Sequence, residues 1–294
     1  MNEHEPPTGP GLFTAVYESD EDAVVRLLRA GVSPEATDED GQSVLYLTAV
    51  SDVPGIARLL LAAGADPDRL SAGTDSPLCG AACGGHTAVV RALLAAGASP
   101  DLEEELGFTA LAWAVQRGNA DIVAALLEHG ADPNRPTPTG EPPLVAAARR
   151  GSPSCVRALL EHGAHARAEA MAEARRWLTV DVASELRAGL ERTYGPGHEV
   201  TTHRVPEDGG ITVVVELRTG DRTVAGNDQQ TGHAEIVRLL EWARVDEACD
   251  RPLAAPDEGP SAATGPAADG GGQWWSGPPL PESTGDLPDT PPEW

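Results

Sequence analysis

Apolar residues recur in a fixed frame through the first half of the chain. Leucines stand at Leu12, Leu45, Leu78, Leu111 and Leu144, each 33 residues after the last. Leucine pairs follow in the same frame: Leu27-Leu28, Leu60-Leu61, Leu93-Leu94, Leu126-Leu127 and Leu159-Leu160. Around each single leucine lies a short run of small residues, as in Pro77-Leu78-Cys79-Gly80-Ala81-Ala82. Around each pair lies a longer amphipathic run, as in Ile122-Val123-Ala124-Ala125-Leu126-Leu127. The spacing predicts two helices per period. In the first, small side chains allow close approach of a neighbour; in the second, the leucine pair supplies the buried stripe.

The boundaries of these helices are marked as regularly as their faces. Glycines at Gly31, Gly64, Gly97, Gly130 and Gly163 follow the leucine pairs at the same 33-residue spacing. Glycine suits the left-handed residue that ends a helix, and the proline three residues on in Gly64-Ala65-Asp66-Pro67 and Gly130-Ala131-Asp132-Pro133 prevents continuation. Asp121 complements the positive end of the helix beginning beside it. A single unit of this kind cannot cover its own apolar face, so a stack of units is implied.

The units resemble ankyrin repeats, whose 33 residues carry a Thr-Pro-Leu-His-x-Ala pattern. Ser76-Pro77-Leu78 and Thr109-Ala110-Leu111 are close matches; Pro142-Pro143-Leu144 and Ser43-Val44-Leu45 are looser. Tyr46, Cys79, Ala112 and Val145 stand where the family usually has histidine, which weakens the expected hydrogen-bonded ties between repeats. The resemblance spans residues 10–164. It implies a mainly α fold: a solenoid of five 33-residue repeats with a divergent α+β C-terminal cap and a disordered tail.

Beyond Gly163 the frame of glycines and leucines ends. Residues 166–193 are rich in Ala, Glu, Arg and Leu and read as one or two amphipathic helices. Val200–Val205, Ile211–Leu217 and Arg222–Val224 read as strands, joined by Pro206-Glu207-Asp208-Gly209-Gly210 and Thr219-Gly220-Asp221 turns. The run from Gly232 to Leu240 returns to the pattern of a second repeat helix. Residues 165–249 are therefore read as a divergent cap, a repeat interrupted by a hairpin. Residues 1–9, and residues 250–294 with their Pro, Gly, Ser and acid, read as disordered segments. Trp274, Trp275 and Trp294 are candidate docking points in the tail.

Charge changes the picture more than composition does. The chain carries 46 acids against 21 bases, a net charge of −25, and every base is arginine. Without lysine there is no phosphate-loop lysine, Schiff base or kinase-type lysine pair. An acidic surface attracts basic partners and repels nucleic acid and anionic membranes. The start of the chain has no basic region before an apolar stretch, and no window approaches a membrane span, so a cytoplasmic protein is expected.

Candidate chemistry is sparse. Cys79 and Cys83 are four apart on one helix, but no further ligand completes a metal set, and with Cys155 they read as buried core thiols. His162 and His165, with His198 and His203 further on, lack an accompanying motif. Glu103-Glu104-Glu105 lacks the spaced ligands of a calcium loop and reads as a solvated turn. No nucleophile elbow, His-Glu-x-x-His or dinucleotide loop occurs. A non-catalytic protein without metal or cofactor is expected.

The resemblance implies a binding surface as well. In ankyrin-like proteins, partners usually meet the turn tips and the exposed positions of the first helices. Carried over residue by residue, this selects Glu39, Asp40 and Gln42 with Val50 and Ser51, and Ala72, Gly73 and Asp75 with Cys83 and Gly84. It further selects Glu105, Leu106 and Phe108 with Gln116 and Arg117, and Pro138, Thr139 and Glu141 with Arg149 and Arg150. The surface so defined is acidic at its first end, apolar at Leu106 and Phe108, and basic at Arg117, Arg149 and Arg150. It suits a protein partner of basic character, in an adaptor, inhibitor or immunity-type role. The alternatives are an activity within residues 165–249, with the repeats as a targeting module, and a scaffold that recruits through its acidic tail.

Overall fold

A computed structural model describes residues 9–72, 74–207 and 210–249. Ten short helices form five antiparallel pairs: α1 (Gly9–Tyr17) with α2 (Glu21–Arg29), α3 (Val44–Val50) with α4 (Pro54–Ala62), α5 (Pro77–Gly84) with α6 (Thr87–Ala95), α7 (Ala110–Arg117) with α8 (Ala120–Glu128), and α9 (Pro143–Arg150) with α10 (Pro153–Glu161). First helices pack on first helices and second helices on second, in two parallel rows. The turns between pairs project as fingers, closed by isolated bridges Thr37–Ser43 and Ser71–Asp75.

Periodic side chains build each unit. Ser43, Ser76 and Thr109 stand in frame and cap their helices, the hydroxyls accepting from Tyr46, Cys79 and Ala112 N–H. Pro142 stands at the next frame position and offers no side-chain cap to α9. Leu60, Leu93, Leu126 and Leu159 are fully buried in one continuous core. Gly130 adopts φ +92°, the left-handed conformation its position requires.

Neighbouring units are tied by a ladder that the missing histidines do not supply. Glu35, Asp68, Asp101 and Asn134, each 33 residues apart, accept from the backbone N–H of Asp66, Ser99, Asp132 and His165 at 2.5, 2.8, 3.1 and 2.7 Å. Arg69 and Arg135 add bonds to the Glu35 and Asp101 carbonyls at 3.0 and 2.9 Å. The fingers are also joined directly, Ala72 N–H to Gly41 carbonyl and Glu105 N–H to Thr74 carbonyl, at 2.9 and 3.0 Å.

The last rung, at His165, shows that the frame outlasts the glycine-leucine pattern. The next helix starts early. On the frame a sixth first helix would begin near residue 176, but α11 (Arg167–Trp177) begins directly after Ala166, which is left-handed at φ +62°. The finger is absent. α11 packs on α9, and α13 (His233–Cys249) packs on both α10 and α11, so the two rows continue into a sixth pair. Ala170, Met171, Ala174, Ile236 and Leu240 join the common core.

Residues 178–232 are inserted between the helices of that pair. They form α12 (Val182–Tyr194) and a meander of β1 (Glu199–Glu207), β2 (Gly210–Thr219) and β3 (Arg222–Gln230), antiparallel in the order β1-β2-β3. The expected hairpin is thus a three-stranded sheet with its third strand extended to Gln230. α12 packs on β2 and β3, and Leu186, Leu190, Val213, Val215 and Leu217 make a second, smaller core. The expected tail, with Trp274, Trp275 and Trp294, lies outside the described residues, as does Gly73.

Leu126→Ala is expected to cost about 2–5 kcal/mol, because the side chain is fully enclosed. Thr109→Ala removes one helix cap and should cost about 1 kcal/mol. Urea denaturation read by circular dichroism checks both, and an unchanged midpoint for Leu126→Ala would contradict the shared core.

Candidate functional site

The fingers and the exposed positions of the first helices make up one side of the array, the side that is concave in ankyrin-like stacks. Its charge follows from where the arginines sit. Through the first three pairs, Arg26, Arg29, Arg58 and Arg91 all lie on second helices, and Arg69 is paired with Glu35 at 2.6 Å. The corresponding fingers carry Asp38, Glu39, Asp40, Asp75, Glu103, Glu104 and Glu105. Glu39, Asp40, Gln42 and Glu105 are exposed, and Asp75 is half-buried.

The middle of this face is aromatic. Leu106 is 70 % exposed at a finger tip. Phe108, expected to stand open, is half-buried, with its ring centroid 5.0 Å from that of Trp113 on α7. Trp113 donates its indole N–H to Glu104 Oε1 at 2.8 Å. The Tyr46 ring lies against Gly80, where an added Cβ would come within 3.0 Å of the ring. Burial pushes the Tyr46 hydroxyl up to about 12, helped by Asp75 and Glu104. Burial also raises the Glu104 carboxyl, against the Trp113 hydrogen bond, and Asp75 adds to the rise. Tyr46, Glu104 and Trp113 lie outside the expected set. Their signals in the sequence are a tyrosine in the place of the usual histidine and a tryptophan in a run of small residues.

Toward the C-terminal end the insertion supplies a second wall. A cleft of about 430 Å³ is bounded by Phe108, Gln116, Thr137, Thr139, Glu141, Ala146, Arg149 and Arg150 on the repeats, and by Leu186 and Asn227–Gln229 on α12 and β3. Six expected residues, Phe108, Gln116, Thr139, Glu141, Arg149 and Arg150, meet here; Glu39, Asp40, Gln42 and Asp75 belong to other fingers and do not.

The expectation of a basic end is corrected by this wall. Arg149 is bound on both sides, to Glu141 at 3.0 Å and to Glu173 of α11 at 3.2 Å. Arg150 donates to the Asp228 carbonyl at 2.6 Å and pairs with its carboxylate, leaving 13 % of the arginine side chain exposed. Both guanidiniums are neutralised within the chain: Glu141 and Glu173 take up Arg149, and the insertion brings Asp228 to Arg150. Arg117 is exposed, with Nη2 3.7 Å from Cys83 Sγ. Cys83 itself is half-buried on this face, unlike Cys79 and Cys155, which are buried.

The insertion is fastened to the end of α9. Gln229 Nε2 and His233 Nε2 both reach the Arg149 carbonyl, at 2.6 and 3.2 Å, and Gly232 N–H donates to the Gly151 carbonyl at 2.9 Å. Gly151 is left-handed at φ +77°, and a Cβ there would collide with the Gln230 carbonyl. His233 is buried and stacked on Trp177, centroids 5.6 Å apart. Burial lowers its basicity, more than its hydrogen bond to Arg149 and the charge of Glu173 raise it. Burial opposes ionisation of Glu173 as well, but hydrogen bonds from Arg176, Trp177 and Arg149 outweigh it and hold that carboxyl below its usual range.

Among the described residues no cluster of three or more His, Cys, Asp or Glu could hold a metal ion. No helix among them is long and apolar enough to cross a membrane.

A family model described as ankyrin repeats, three copies, matches residues 12–104 and again 78–170. No curated protein matches the chain.

Thiol reactivity is expected to divide by position. Burial pushes the thiol of Cys79 up to about 12 and that of Cys155 up to about 11, against hydrogen bonds from Ser76 and Ser152. At pH 8, native-state labelling of both should be at least about a hundredfold slower than of Cys83, since the thiolate is the reactive form. Mass spectrometry of timed samples checks this.

Stability should also fall on acidification. His233 is less basic folded than unfolded, so its contribution is fully present above its ordinary value of about 6.5 and is lost as pH falls below it. The fall in urea midpoint between pH 7.5 and 5.5 should be smaller in His233→Gln than in the wild type.

Proposed function

The chain belongs to the ankyrin-repeat family, and from that premise we propose that it is a non-catalytic binding protein whose concave face receives a basic protein partner. Ankyrin repeats are generally protein-interaction modules. The observation that carries the finer reading is the segregation of charge. Arginines of the first three pairs lie on second helices or are paired, while the fingers present carboxylates around an aromatic centre. The two arginines that would have offset this charge, Arg149 and Arg150, are neutralised by Glu141, Glu173 and Asp228.

The contact set follows from this arrangement. Glu39, Asp40, Asp75 and Glu105 form an acidic rim with the amide of Gln42 among them, and Leu106, Phe108, Gln116 and Arg117 form the centre. Arg149 and Arg150 hold the insertion as a second wall of the groove. Rim charges steer a basic partner, and buried aromatic contacts hold it. The net charge of −25 disfavours nucleic acid and anionic membranes as partners. A reducing, cytoplasmic setting accords with Cys79, Cys83 and Cys155 being free thiols.

The test is affinity capture from native lysate with the full chain, then a binding titration at two salt concentrations. Reversing Asp40 or Glu105 to Arg should slow association several-fold and flatten its salt dependence. Phe108→Ala or Arg117→Ala should each cost roughly 2 kcal/mol or more, whereas Arg91→Ala on α6 should be neutral. Normal binding by the Phe108 and Arg117 variants, together with loss of binding when residues 179–231 are replaced by a short linker, would move the function to the insertion.

A further inference from the structure

The concave face contains one place where negative charge and aromatic surface converge. Glu104 and Asp75 belong to successive fingers joined by the Glu105 N–H to Thr74 carbonyl bond of 3.0 Å. Glu104 is held in position twice, by its own N–H on the Phe108 carbonyl at 3.0 Å and by the Trp113 indole on its carboxylate at 2.8 Å. Phe108 braces Trp113 with ring centroids 5.0 Å apart and planes tilted by 30°. Across the face, the Tyr46 ring fills the space left by the absent side chain of Gly80. Neither Asp75 nor Glu104 has an ion pair to a cation among the described residues.

This arrangement is costly without a cation. Two half-buried carboxylates stand on adjoining fingers, beside rings whose faces carry negative charge. The same features favour a planar cation. A guanidinium forks onto carboxylates and stacks on aromatic rings, and it sheds its weak hydration more readily than an ammonium does. Resting on the concave-face reading above, we propose that the partner docks by inserting an arginine side chain between the second and third fingers, its guanidinium meeting Asp75 and Glu104 and lying against Tyr46 and Trp113. The occupant is set by charge complementarity: two carboxylates without a counter-ion call for a cation, and the aromatic rings call for one that is flat.

The seat can be tested without the partner. The probe is the capped tripeptide acetyl-Gly-Arg-Gly-amide, titrated into the full ¹⁵N-labelled chain, with the Trp113 indole N–H signal assigned by Trp113→Phe. The arginine peptide should shift that signal saturably, with a Kd on the order of 1 mM. The lysine counterpart should bind at least about threefold more weakly, and the uncharged citrulline counterpart should produce no shift. Glu104→Gln keeps an acceptor for the Trp113 N–H and so preserves the local fold; it should weaken the arginine peptide at least about fivefold, and Asp75→Asn should act in the same direction.

Absence of a shift, equal shifts from citrulline, tighter binding of lysine, or unchanged binding to Glu104→Gln would each overturn the arginine seat. Shifts already displaced in the wild type, and restored by trimming residues 250–294, would show that a segment of this chain holds the site and would also overturn it. Failure here is separable from failure of the concave-face reading. A captured partner that still loses affinity on Phe108→Ala and Arg117→Ala leaves that reading intact.

Discussion

The stack depends on a side-chain oxygen at one position of each unit accepting the backbone N–H that opens the next loop. Glu35, Asp68, Asp101 and Asn134 do this in turn, and the last rung lands on His165. Repeat interfaces made of small side chains leave little area for hydrophobic selection of register, since alanine buries little surface. A directional bond to backbone supplies the missing specificity. It fixes the height of each loop and hence which leucine meets which neighbour. Three of the four rungs are carboxylates, so part of the chain's large negative charge is structural, bound to amide hydrogens and not available to a ligand.

The repeat frame is legible in the sequence because its markers are local. Glycines after Leu-Leu pairs, hydroxyls at Ser43, Ser76 and Thr109, and prolines after the loops each act within a few residues. The ladder is less so: a carboxylate in a loop looks like solvated charge unless the N–H 31 residues on is known to point at it. The early start of α11 is hidden because the cue for an absent finger is a shortening, not a motif. β3 beyond Val224 escapes a reading of the sequence for a different reason. Gly226, Asn227, Asp228, Gln229 and Gln230 are poor strand formers. They hold an extended conformation because they pair with β2 and because Asp228 and Gln229 find partners on Arg149 and Arg150.

The candidate site divides the same way. Positions that depend only on phase, such as Asp40 or Leu106, fall on fingers as the frame implies. Properties that depend on distant neighbours do not follow from phase. Arg149 and Arg150 have the phase of exposed first-helix residues, yet acids from α11 and β3, up to 78 residues away, take up both charges. Phe108 has the phase of a surface residue, yet Trp113 five residues on covers part of it.

Pro142 gives the array an uneven distribution of support. α9 is the first helix of its row, among those with an in-frame cap position from Ser43 onward, to lack a capping hydroxyl. At its other end, the Arg149 carbonyl is satisfied by Gln229 and His233, which belong to the inserted segment and its return helix. The helix is therefore anchored from outside its own unit. In a linear stack each unit leans on its neighbours, so the weakest anchorage decides where opening begins. Here that point lies at the C-terminal end and is held by a segment folded on a separate small core. Pulling that segment aside would free the α9 terminus first and let the stack fray toward its N-terminus. The solenoid thus has a polarity: α3, α5 and α7 are capped from within their own units, whereas α9 is held by a clasp that folds apart from the repeats.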